Sequence, residues 1–130
     1  MRRRLAPGEK PLFWIGSSKR DLLAMPDPVV RQIGVAMSVA QYGGKHPDAK
    51  PWKGLGPGVF EVVSDFRTDT FRAAYVVRFE HAVYVLHCFQ KKSPRGTRTA
   101  KTDIEMIERR LKAAQADYEV RYGQASQKRQ

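Results

Sequence analysis

Apolar and polar positions follow three rhythms along this chain. Leu12-Phe13-Trp14-Ile15 is a short apolar block broken by Gly16-Ser17-Ser18, which predicts a first strand and then a short helix over 19–24. After Pro26-Asp27-Pro28, the residues Val30, Ile33, Met37 and Ala40 lie on one face of a 3.6-residue period. They predict a helix with Asp27 as its cap, Pro28 at its first position and Gly43-Gly44 at its end. The rhythm then changes. Val59 to Val63 reads as a strand, and Phe71 to Phe79 alternates apolar residues with Arg72, Ala74, Val76 and Arg78, so one face of that strand is buried. Ala82 to Phe89 is apolar at both parities, as in a central strand covered on both faces. In the closing segment Ile104, Ile107, Leu111, Ala114 and Tyr118 form a helical stripe, and Thr102 and Glu105 have capping-box spacing.

The order is therefore β-α-α-β-β-β-α, an α+β fold with a small antiparallel sheet flanked by helices. Residues 45–58, rich in Pro and Gly, are expected to be the longest irregular connection. A single domain is expected over 12–120, with basic flexible tails at 1–11 and 121–130.

Composition narrows the class. The 130 residues carry 24 Lys+Arg against 13 Asp+Glu, a formal charge of +11, which points to a polyanionic partner. No apolar stretch approaches the roughly 20 residues of a membrane span, so no membrane role is expected. Arg2-Arg3-Arg4 has too short an apolar block behind it for a secretory signal. The single Cys88 excludes an intrachain disulfide framework and fits a reducing, cytoplasmic setting. The three His and one Cys lack ligand spacing, and no metal or other cofactor is expected.

Candidate chemistry concentrates in three places. The stretch from Lys91 to Lys101 holds Lys91, Lys92, Arg95, Arg98 and Lys101 with no acid, and reads as a phosphate-tracking loop or as a solvated one. Arg72, beside Phe71 on a strand, either stabilises a phosphate or pairs across the sheet, for instance with Glu61. His87 in the most apolar strand is either a satisfied core histidine or a general acid–base. Gly54-Leu55-Gly56-Pro57-Gly58 precedes a strand and lacks the Lys-Ser/Thr of a P-loop. It reads as a turn bringing Trp52 and Lys53 alongside the sheet.

The blocks Lys53-Gly54-Leu55, Gly58-Val59-Phe60-Glu61, Asp69-Thr70-Phe71-Arg72-Ala73-Ala74-Tyr75 and Leu86-His87-Cys88-Phe89-Gln90-Lys91-Lys92-Ser93 resemble the HigB-like, phage-derived branch of the RelE/ParE toxin superfamily. Thr99-Ala100-Lys101, Ile104-Glu105 and Ile107 to Leu111 continue the resemblance, which spans roughly 11–119. It implies a type II toxin that cuts mRNA on the ribosome without a metal, the ribose 2′-hydroxyl attacking the adjacent phosphate. It further implies a helix-turn-helix antitoxin as partner, in a hetero-oligomer. By the same resemblance Arg72 would stabilise the phosphate, Lys92 would assist the leaving group and His87 would move a proton. Lys53, Arg67, Lys91, Arg95, Arg98 and Lys101 would bind RNA.

One departure stands out. Where RelE-like members carry strand lysines, this chain has Glu61, Val62 and Val63, so Glu61 becomes the candidate base and Arg67 a partial substitute for the lost charge. Two other function classes stay open at this point: a ParE-like non-catalytic poison of DNA gyrase, and a basic nucleic-acid-binding module without catalysis.

Overall fold

A computed structural model describes residues 4–91 and 99–128, with side chains through Gly123. Strand β1 (Leu12–Trp14) leads into α1 (Ser18–Leu23) and α2 (Asp27–Gln41). Strands β2 (Ala49–Pro51), β3 (Val59–Phe66), β4 (Asp69–Val76) and β5 (Val83–Lys91) follow, and α3 (Lys101–Lys128) closes the fold. The five strands form one sheet in the order β1-β5-β4-β3-β2. The expected α+β architecture is observed, with two refinements. The 45–58 connection contains the short edge strand β2, and β1 pairs with β5 in parallel while every other pairing is antiparallel.

Helices cover both faces of the sheet, which explains why β5 is apolar at both parities. On one face Val29, Ile33, Met37 and Ala40 of α2 pack on Val62, Ala73, Tyr75, Val83 and Val85. On the other, Ile107, Leu111, Ala114 and Tyr118 of α3 pack on Val59, Ala74, Val76, Tyr84 and Leu86. The helical stripes read from the sequence are thus the buried faces, except that Val29 rather than Val30 is fully buried on α2 and Ile104 is only half-buried on α3.

Several local expectations shift. Pro26, not Asp27, is the cap of α2, and Asp27 opens its first turn. The Thr102–Glu105 capping box does not form. Ala100 takes the cap position, its carbonyl accepting from the amides of Asp103 and Ile104, while Glu105 sits 3.9 Å from Lys101. Residues 121–128, expected as tail, continue α3. Before β1, the Lys10 amide donates to the Gln41 carbonyl and the Gln41 side chain donates to the Lys10 carbonyl, both at 2.8 Å, so this part of the expected N-terminal tail is tied to α2. Arg78 lies beyond the end of β4 and donates to the carbonyls of Leu55 and Pro57. A Cβ on Gly58, whose φ is +78°, would come within 2.6 Å of Arg78 Cβ, so this turn needs its glycine.

Strand β5 carries the irregularity that matters for the site. Ala74 pairs with His87 but Tyr75 pairs with Val85, which leaves Leu86 as an extra residue in a β-bulge. In a regular strand His87 would share the parity of Val83 and Val85 and face α2. The bulge turns both Leu86 and His87 toward α3. The Leu86 carbonyl, at this break in the ladder, accepts from Arg110 Nη1 at 3.0 Å.

A cationic site where α3 begins

Helix α3 covers only part of its sheet face. Beyond its first turn the same face continues as Glu61 and Val63 of β3, Thr70 and Arg72 of β4, and His87, Phe89 and Lys91 of β5, with Lys50 of β2 opposite Glu61. Strand alternation places all of these on one side.

Arg72 and Glu61 are both buried, at 7 % and 6 % exposure. Arg72 Nη1 donates to both Glu61 oxygens, at 3.1 and 3.2 Å, and lies 3.4 Å from Thr99 Oγ1. Lys50 Nζ approaches Glu61 Oε1 at 3.6 Å. The cross-strand pairing alternative for Arg72 is therefore observed, but as a buried pair. Glu61 is committed to two cations, so its geometry is that of a group holding Arg72 in place. Arg72 Nε is buried without a hydrogen-bond partner among the described residues, an unspent donor of the kind that carries a cost unless something uses it.

Arg72 pairs directly with Phe89, and the Phe89 ring stacks on the His87 imidazole with centroids 4.7 Å apart. His87 is the diagonal neighbour of Arg72, a relation that sets side chains about 7–8 Å apart. Both imidazole nitrogens are engaged. Nε2 lies 2.8 Å from Asp103 Oδ1, and Nδ1 lies 3.5 Å from Arg110 Nη1. Since an arginine only donates, Nδ1 accepts and the proton sits on Nε2, donated to Asp103. Arg110 is itself fixed: Nη2 donates to Ser17 Oγ at 3.1 Å, and Ser17 donates to Asp21 at 2.7 Å. Gly16 permits this approach, since a Cβ there would stand 3.0 Å from the guanidinium.

Lys91 ends β5 beside this cluster. Desolvation and the nearby Arg72 charge, with Lys50 adding to them, hold its pKa below the ordinary lysine value, against the opposing pull of Glu61.

The structure gathers Arg72, Glu61, His87 and Lys91 from the predicted set. Arg67 sits outside the cluster, at the β3–β4 turn with φ +58° and its guanidinium over the Phe66 ring, which packs with the α2 face. Lys53 is exposed in the turn after β2. Lys101 is exposed at the start of α3, near Glu105. Lys92, Arg95 and Arg98 lie outside the described residues. Asp103, Arg110, Lys50 and Thr99 were not singled out by sequence reasoning. Nothing in the alternation of β5 marks the bulge that sends His87 to Asp103.

Among the described residues no group of three or more His, Cys, Asp or Glu could hold a metal ion, and no helix is long and apolar enough to cross a membrane. The chain is thus an α+β protein with a cationic site on one half of a sheet face. It belongs to the family of phage-derived Gp49-like proteins (DUF891), whose pattern matches residues 20–112 and so includes the whole Arg72–His87–Asp103–Arg110 cluster. No curated protein matches the chain. Among solved structures it is similar to a chain of the toxin–antitoxin complex RelBE2 from Mycobacterium tuberculosis, at 18% identity and a TM-score of 0.41, over 69% of this chain and 100% of that one.

Proposed function

We propose that this protein is the toxin of a type II toxin–antitoxin module of the HigB-like branch, acting in the cytoplasm as a metal-independent endoribonuclease on ribosome-bound mRNA. The observation that carries the reading is Arg72: a buried guanidinium whose Nε has no hydrogen-bond partner among the described residues, with Lys91 and Lys50 near it on the half of the sheet face beyond the α3 core. That is a cationic seat for a phosphodiester, and stabilising the charge on the non-bridging phosphoryl oxygens is a large part of its cleavage. The motif blocks around Arg72 and Phe89-Gln90-Lys91-Lys92-Ser93 support the same reading. The net charge of +11 supplies a field for docking on ribosomal RNA. The partner of such a toxin is a helix-turn-helix antitoxin, bound in a hetero-oligomer.

A second reading, a ParE-like poison of DNA gyrase, is favoured by one observation: residues 61–63 carry Glu-Val-Val where ribonuclease members carry basic residues, and Glu61 is spent on Arg72. Induction of the chain alone in a bacterial host separates the readings. The ribonuclease arrests growth with protein synthesis falling before DNA synthesis. The poison gives DNA breaks with intact mRNA, and normal growth under verified expression excludes both.

A further inference from the structure

Neither Glu61 nor His87 offers an unengaged atom to a 2′-hydroxyl among the described residues. Glu61 is held between Arg72 and Lys50, and His87 has Arg110 on one nitrogen and Asp103 on the other. The His87–Asp103 pair is asymmetric in access. The imidazole side chain is 10 % exposed and the carboxylate 25 %. Asp103 uses Oδ1 on His87, and its Oδ2 has no hydrogen-bond partner among the described residues. It stands one turn into α3 from Thr99, which touches Arg72. Asp103 is thus the more exposed member of the pair, four residues along the chain from Thr99, whose hydroxyl lies 3.4 Å from Arg72.

We infer that Asp103 is the proton-accepting group of this site and that His87, fixed by Arg110, is its positioning residue. This rests on the ribonuclease reading. Asp103 Oδ2 takes the proton of the ribose 2′-hydroxyl as the 2′-oxygen bonds to phosphorus. The bond from phosphorus to the 5′-oxygen breaks, and that oxygen takes a proton from water. Asp103 then returns its proton to solvent. The His87 Nε2–H donates to Oδ1 throughout and keeps the carboxylate aimed, as a histidine is aimed by a carboxylate in the reverse arrangement. The bulge at Leu86 is what makes this possible, since only an imidazole turned toward α3 can reach Asp103.

The test is cleavage of a short mRNA in a bacterial translation extract, with product ends read by primer extension. Asp103→Asn should lower kcat by roughly a hundredfold or more, the usual range for losing a general base, with KM little changed. Asp103→Glu should recover part of that loss. His87→Gln, which keeps an N–H donor toward Asp103, should retain most of the rate, and His87→Ala should lose more. Nitrogen-15 spectra of the wild-type imidazole should show the Nε2–H tautomer. Asp103→Asn cutting at the wild-type rate, or His87→Gln as inactive as His87→Ala, overturns the assignment while leaving the ribonuclease reading intact. A folded wild-type chain that cuts no ribosome-bound mRNA overturns that reading and the assignment with it.

Discussion

The face of the sheet under α3 has two halves built from the same strands. In one, Val76, Tyr84 and Leu86 meet Ile107, Leu111, Ala114 and Tyr118, and an aromatic cluster of Phe79, Tyr118 and Tyr122 closes the end. There the Tyr84 hydroxyl donates to Asp117 at 2.5 Å and Arg121 donates to the same oxygen at 2.7 Å, while His81 Nε2, beside the aromatic cluster, is buried without a hydrogen-bond partner among the described residues. In the other half, at the start of α3, the buried polar groups are Arg72, Glu61 and His87, beside the buried Phe89. Apolar contact stabilises the first half. The second is held by charge pairing that leaves one guanidinium nitrogen unused, and buried pairs of this kind add little net stability over apolar packing. The contrast separates apolar packing from buried charge pairing on one continuous surface.

Breaking the pair in the polar half should have the largest effect on stability. Glu61→Ala leaves Arg72 buried and uncompensated and should cost about 3–5 kcal/mol in urea unfolding, whereas removing both charges should cost far less. In the apolar half Ile107→Ala should cost about 2–5 kcal/mol. It should leave the kcat of the folded protein unchanged, so a lost rate there would erase the distinction between the halves. Cys88, on the α2 face, is pushed up to about 12 by burial, with Asp21 adding to the rise against Arg110. Only thiolate reacts, so alkylation at pH 8 should be roughly a thousandfold slower in the folded protein than after denaturation.

The smallest expected effect is at Asp117. Burial pushes its pKa up, but hydrogen bonds from Tyr84 and Arg121 outweigh that and leave it lowered. A lowered carboxyl contributes stability above its unfolded value that is lost as pH falls through the folded one. Asp117→Asn should therefore cost less than about 1 kcal/mol at pH 7, because the pair is partly exposed, and should flatten the acid limb of the unfolding curve.

Much of this architecture was legible in the sequence because burial on a helix or strand leaves a period. The α2 and α3 stripes and the two-faced β5 became the two cores. Strand β2 was not legible, since Ala49-Lys50-Pro51 is too short to show alternation. Of the site, Arg72 was legible from its place on an alternating strand, and His87 as a polar residue in an apolar run. Asp103 was not, because a single inserted residue in β5 decides which helix His87 meets. The capping box misled for a related reason: Ala100 caps α3 through its carbonyl alone, which no side-chain pattern advertises.

The central claim is that the Arg72 seat cuts mRNA. Its most direct test is transcriptome-wide mapping of 5′ ends after induction, comparing the wild-type chain with the Glu61→Gln/Arg72→Gln double variant, which removes both buried charges together and is first checked for native circular dichroism. The account predicts new 5′-hydroxyl ends within coding regions for the wild type, reduced roughly a hundredfold or more in the folded variant. Equal cleavage by both proteins, or none by the wild type while growth stops, would contradict it.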